Sequence, residues 1–477
     1  MPMLDSIVSA PTRRRAAATA LAALTALLAL GCGKKEKAAP ITVPPPPGAA
    51  SSDELTTAIG QARGIDSALA PSSTRWRRAF VLDERRAVVT GEIENEAIAL
   101  VTENAGRTWR SLRRVREGWS TWSVGGDGAT VLTTGPRGPA LPTETRGNRG
   151  TPSALDPPSL FFAPFEATDL SAPSPVTLPA LSRGARPLVN AVPAVLSAES
   201  AALLVEPKPR HATLVYAGPA GAEPVPPVPL PTQEQALPVP YGRPPMLLSV
   251  RGRNLLVRPV PAPGKPLDAP KSVEGLTISP AAIAALSTTP ACDFAGWSIQ
   301  LVPQPPDKTA VIAVSAAQTT VLKLPAKAPP GASVGCAADR IMVEVMTPTT
   351  GEPTLATCTL QGTCVIAEKP PFRPWLEPHE RSVALAPTRE GVTAVLTSRA
   401  AARWGLYIAL SPEVGKIYDV PRVIGEAAGE RGRIELGTLL SFGNRLLMLL
   451  QADVTGTSRR GWYVAASDDG GLTWSPP

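Results

Sequence analysis

Ser467-Asp468-Asp469-Gly470-Gly471-Leu472-Thr473-Trp474, placed after the apolar stretch Trp462-Tyr463-Val464, is the segment whose reading decides the fold. It has the form Ser-x-Asp-x-Gly-x-Thr-Trp, and the same frame recurs twice upstream. Thr102-Glu103-Asn104-Ala105-Gly106-Arg107-Thr108-Trp109 follows Ala97-Ile98-Ala99-Leu100-Val101. Ser411-Pro412-Glu413-Val414-Gly415-Lys416-Ile417-Tyr418 follows Leu406-Tyr407-Ile408-Ala409-Leu410. Each frame fits a turn between two antiparallel strands. Side chains of Ser, Thr, Asn and Asp accept hydrogen bonds from nearby backbone N–H groups and close the turn locally. Gly106, Gly415 and Gly471, at the fifth position, supply a positive φ with no Cβ to clash. Trp109, Tyr418 and Trp474 open the outgoing strand with a large apolar face. Asn104 and Glu413 stand where the last copy has Asp469.

Short apolar runs rich in Val, Ile, Leu and Thr fill the rest of the chain, separated by turn formers. They include 79–82, 87–90, 129–133, 159–162, 201–205, 213–216, 246–250, 254–257, 309–314, 340–345, 392–397 and 439–450. Outgoing hairpins fall near residues 100, 162, 215, 256, 313, 356, 409 and 465, a mean interval of about 52 residues, close to the repeat of four-stranded propeller blades. The three turn frames resemble the Asp-box (BNR repeat) of sialidase-like β-propellers. The resemblance implies an all-β propeller of seven or eight four-stranded blades; a two-sheet sandwich carrying similar turns is the alternative. It also implies a structural motif, so Asp469 is read as a turn clamp and not as an acid catalyst. Only three residues follow Trp474, too few for a full outermost strand. A segment before Trp76 is therefore expected to supply that strand and close the ring.

The N-terminus reads as an address. Arg13-Arg14-Arg15 precede a fifteen-residue apolar run, 16–30, that ends at Gly31-Cys32. The run falls short of the roughly 18 residues that span a bilayer. Leu28-Ala29-Leu30-Gly31-Cys32 resembles a bacterial lipobox, which implies cleavage before Cys32 and its acylation. Gly33 follows it, which implies outer-membrane sorting, facing the periplasm or the cell surface. Residues 1–31 are thus a cleaved signal peptide, 32–73 an Ala/Pro-rich tether and 74–477 the propeller. Proline-dense stretches at 218–245 and 259–270 read as extended loops on one rim, or as compositional drift, because proline lacks the N–H a central strand donates.

Once Cys32 is lipidated, four of the five cysteines remain, and export favours disulfides over metal or catalysis. In Cys358-Thr359-Leu360-Gln361-Gly362-Thr363-Cys364 a three-residue loop sets Cys358 opposite Cys364, leaving Cys292 for Cys336. No metal site or cofactor is expected. Net charge is +7, falling to +5 when Arg13, Arg14, Arg15 and Asp5 leave with the signal peptide. The densest basic run is Arg107, Arg110, Arg113, Arg114 and Arg116, with Arg75, Arg77 and Arg78 upstream. It suits lipopolysaccharide phosphates, an acidic partner or a plain solvated strand face. Export argues against nucleic acid as a ligand.

The chemistry of an enzyme is missing from the sequence. Sialidases of the resembled class use three arginines, a tyrosine–glutamate pair and an aspartate, with a Phe/Tyr-Arg-Ile-Pro signature before the first Asp-box; nothing before Thr102 matches it. Phe372-Arg373-Pro374 and Tyr241-Gly242-Arg243-Pro244 are incomplete and lie downstream. Neither His211 nor His379 sits in a nucleophile motif, and Glu377-Pro378-His379-Glu380 reads as a surface turn. The expectation is a monomeric, non-catalytic, lipid-anchored module that binds an envelope protein, with a carbohydrate-binding or degenerate glycosidase module as the alternative. In cells fed labelled palmitate, the full-length chain should incorporate label and Cys32→Ala should abolish it. Label retained by the variant would remove Cys32 as the anchored residue, and no label on the unsubstituted chain would remove the anchor.

Overall fold

The structure is a computed structural model. It describes residues 62–477 apart from 117, 136–157, 177, 179–192, 209–210, 220–221, 243, 279–290, 295, 305–307, 316–317, 330–331, 338–339, 369–381, 389–390, 401–402, 413–414, 420, 427–432 and 454–459. Cys32, Glu413 and His379 lie outside the described residues, as do the signal peptide and most of the tether.

The fold is all-β, a propeller-like set of small antiparallel sheets. Among the described residues there are six four-stranded sheets and one of eight strands, the latter made of two four-stranded groups joined edge to edge. In chain order the groups span 75–115, 119–175, 194–229, 234–277, 291–323, 334–366, 382–426 and 434–467. The eight hairpin positions read from the sequence fall in, or within two residues of, the third strand of each group, such as Glu96–Thr102, Arg403–Ser411 and Arg460–Ser467.

A four-stranded antiparallel sheet with two apolar faces must cover both, and here each group does so against its chain neighbours. Val88 and Val101 of the first group meet Leu132 and Phe161 of the second. Leu203 and Val215 of the third meet Val131 and Leu160. Further along, Ile341 and Val343 meet Leu301 and Val311, and Leu406 and Ile408 meet Met448 and Leu450. Leu447 and Leu449 of the last group pack with Val89 and Leu100 of the first.

The outer position of the last group is shared. Arg63 pairs with Val464 and Gly64 with Tyr463, while Ser475 bridges to Ala466 further along the same strand. The folded region therefore begins earlier than a boundary at residue 74. Ile65, Leu69 and Ala70 pack into the core between the last and first groups, and apolar contact of this kind is invisible in an Ala/Ser-rich composition. The proline-dense stretch 218–245 also differs from a simple loop, since Glu234–Gly242 is a strand and Val228–Pro229 a short one. Glu234–Gly242 lies at the edge of its sheet, pairing only with Pro245–Arg251, so Pro238 and Pro240 can leave their missing N–H on the open side.

The three turn frames share one geometry. Gly106 N donates to Thr102 Oγ1 at 2.9 Å, Gly415 N to Ser411 Oγ at 3.0 Å and Gly471 N to Ser467 Oγ at 2.7 Å. The glycines have φ of +85°, +85° and +104°. A Cβ on each would strike a neighbouring group: Leu447 for Gly106, Thr357 for Gly415, and Ile408 for Gly471. The motif aromatics follow suit, with Trp109, Tyr418 and Trp474 packed into those same three cores. Gly106→Val should therefore cost about 2–4 kcal/mol in urea unfolding, from backbone strain and overpacking together. Gly351→Val, at φ +68° with nothing within 4 Å of the added Cβ, isolates the backbone share and should cost less.

Candidate functional site

First strands of most successive groups touch one another, as do those of the last and first groups. The two halves of the eight-stranded sheet also meet through their first strands. Ala291–Phe294, first strand of the fifth group, runs parallel to Arg75–Val81, first strand of the first group, with Asp293 opposite Phe80 and Phe294 opposite Val81. This short junction joins groups that are four apart in chain order.

An ion pair locks the junction. Arg78 Nε donates to Asp293 Oδ2 at 2.6 Å, with Nη2 2.5 Å from the same oxygen. The Asp293 side chain has no exposed surface, and Arg78 also lies over the Phe80 ring at 5.1 Å. Burial pushes the Asp293 carboxyl above its ordinary value, and Arg78 and Ser298 only partly offset this. One residue earlier, Cys292 is disulfide-bonded to Cys336 on the first strand of the sixth group, with Cα atoms 6.1 Å apart. The second bridge, Cys358–Cys364, closes the hairpin read from the sequence: the two residues are direct partners and Gly362 has φ +105°.

Beside the junction lies a cavity of about 210 Å³, room for roughly seven waters at liquid density. Trp76, Arg78, Asp293, the Cys292–Cys336 bridge and Ser441 are among its lining groups. Two strands facing it carry register shifts, between Trp76 and Arg78 and between Leu436 and Thr438, which place Arg77 and Gly437 as bulges on its wall. Nothing in the local sequence marks this centre. Arg78 and Asp293 are 215 positions apart, and the only signal was a basic run that looked like surface.

The residues singled out from sequence take structural positions. Asp469 accepts from Thr473 N at 2.9 Å and from Thr473 Oγ1 at 2.5 Å. Burial acts to raise its pKa, but these bonds outweigh it and hold the carboxyl below the usual range, the wrong direction for a general acid. Asn104 plays the same part, its Oδ1 taking Thr108 N at 2.8 Å. Tyr418 is buried, and burial raises its hydroxyl pKa. His211 is exposed. None of the eight described tryptophans is exposed; Trp76 and Trp462 meet edge to face at 5.6 Å in the core between last and first groups. A second buried ion pair lies in the fourth group, where Arg258 and Ser249 both contact Glu234 and Arg251 reaches its other oxygen at 2.6 Å. Among the described residues, no group of three or more His, Cys, Asp or Glu is placed to hold a metal, and no helix is long and apolar enough to cross a membrane.

No family model and no curated protein matches the chain. Solved structures resemble it distantly. A study of two prolyl endopeptidases gives 11% identity and a TM-score of 0.37, covering 93% of this chain and 60% of that one, so this chain spans less than two thirds of that relative. Polysaccharide lyase Uly1 gives 7% identity and a TM-score of 0.40 over 83% of this chain and 90% of that one. The WD40 domain of SCAP from fission yeast gives 8% and 0.32 over 84% and 86%. These likenesses carry no argument about chemistry here.

The central pair can be tested by unfolding. Arg78→Met leaves a buried carboxylate without its cation and should cost roughly 3–5 kcal/mol at pH 8. A carboxyl whose folded pKa is raised keeps its proton longer in the folded state. Its stabilising effect is full below the unfolded pKa and is lost as pH rises through the folded pKa. Arg78→Met should therefore melt progressively lower as pH rises above about 4, and adding Asp293→Asn should flatten that dependence. An unchanged pH profile would show that Asp293 is not the group responsible.

Proposed function

We propose that the chain is a lipid-anchored, non-catalytic β-propeller of the Asp-box type, with eight blades and a ring closed by Arg63–Gly64, that serves as a protein-binding scaffold or assembly factor at a bacterial outer membrane. The observation that carries this reading is where the large recognition side chains go. Seven of the eight described tryptophans pack in the cores between groups, and the ion pair at the centre is internally neutralised. Among the described residues, no exposed aromatic platform beside free carboxylates stands out as a glycan site. Broad sheet ends and an outer rim are left as the surfaces for recognition. The eight groups, and the cores joining each to the next and the last to the first, support the eight-bladed ring. The three turns, each clamped on a neighbouring group, support the Asp-box assignment. The lipid anchor rests on the sequence around Cys32.

In-cell crosslinking of tagged full-length protein, with mass spectrometry of what co-purifies, tests the proposal. One recurrent envelope protein at near-equal abundance is the expected result. Co-purifying polysaccharide with no protein partner would replace it with the carbohydrate-binding reading.

A further inference from the structure

The net charge of the chain is concentrated in one place. Residues 63–116 hold eleven arginines and seven carboxylates with no lysine, an excess of four out of the whole chain's +7. The outermost strand of the first group, Arg110–Val115, carries Arg110, Arg113 and Arg114, with Arg107 before it and Arg116 after it. It is the open edge of the eight-stranded sheet. Several of these arginines are committed inside the fold: Arg110 pairs with Glu103 at 2.7 Å, and Arg116 with Glu92 at 3.4 Å. Arg107 and Arg114 are exposed, and neither has an acidic partner among the described residues; Arg114 lies over the Phe161 ring at 4.3 Å. Arg113 reaches Glu96 only at 3.9 Å. Between them Val115 is 67% exposed, the most exposed large apolar side chain of the described residues.

The chain enters the fold at this same edge. Arg63, at the start of the strand on the last group, donates from Nη1 to the Arg107 carbonyl at 3.1 Å, and Arg113 Nη2 donates to the Ala68 carbonyl at 2.5 Å. Arg63, near the start of the described chain, therefore lies beside the arginine edge.

We propose that this edge, with Arg107, Arg113, Arg114 and Val115 at its centre and Arg63 beside it, docks onto an anionic phospholipid surface. The charges would lie against headgroup phosphates and Val115 would reach the interface, setting the disc edge-on to the membrane with both broad faces free. Basic residues near an anionic surface contribute about five-fold in binding each, within a Debye length. Placement beside a membrane rests on the anchored reading proposed above; the charge selectivity does not.

The test uses the full-length Cys32→Ala chain with vesicles of phosphatidylethanolamine containing either about 30 mol% phosphatidylglycerol or the same share of phosphatidylcholine. The apolar run at 16–30 is present in every arm, so binding to neutral vesicles is the baseline and the anionic-to-neutral ratio reads the edge. That ratio should exceed ten. Arg107→Glu/Arg113→Glu/Arg114→Glu should lower anionic binding on the order of 100-fold and leave neutral binding unchanged. Three reversals at exposed positions elsewhere, Arg253→Glu/Lys265→Glu/Lys271→Glu, should preserve the preference. On the unsubstituted edge, raising NaCl from about 50 to 300 mM should erase the preference, which checks the proposal even if the triple variant folds poorly. Equal binding to both vesicle types, or equal loss in the control variant, would overturn it and leave the arginines as a solvated strand edge. A retained preference together with no palmitate label on the unsubstituted Cys32 would sink the anchor and keep the docking edge.

Discussion

Every sheet in this protein has two apolar faces, and that constraint shapes all else. A lone four-stranded sheet would leave one face in water, so it needs a neighbour on each side, and so does that neighbour. The buried positions confirm the double demand. In the first group Phe80 and Val88 serve the core shared with the second, while Val89 and Leu100 serve the core shared with the last. A folded region of about 400 residues can satisfy this with side chains of ordinary size because no single core has to grow large; each is a seam between two sheets.

The glycine turns make those seams tight. Positive φ is one reason for Gly106, Gly415 and Gly471; close approach of a neighbouring group is the other. The hydroxyl at the head of each frame fixes the turn from inside, and the aromatic at its tail fills the seam. One short frame thus couples local backbone conformation to packing between sheets. This coupling explains why the frame tolerates Asn104 for Asp469: the amide oxygen closes the turn as the carboxylate does.

The centre follows a different logic. Arg75–Val81 and Ala291–Phe294 meet through only two paired residues, and the fully buried Asp293 is held there by Arg78. A buried ion pair is weak evidence of stability, because desolvation offsets much of its attraction. Its effect here is positional. Together with the Cys292–Cys336 bridge it pins the first strand of the fifth group to two others and fixes which strands border the cavity.

Strand positions, turn geometry and the Cys358–Cys364 hairpin were legible in the sequence, because each depends on residues within one hairpin. Period-two patterning marks strands, glycine marks positive φ, and five residues between cysteines fit a bridged turn. The sequence by itself determined that this chain builds many small sheets, three of which carry the same turn after the third strand. Only the tertiary structure decided that Ile65 and Leu69 belong to the fold, that Pro238 and Pro240 sit in an edge strand, and that Arg78 faces Asp293. The reason is physical: those outcomes depend on which groups are brought side by side from far along the chain. A local pattern carries no record of its distant neighbour.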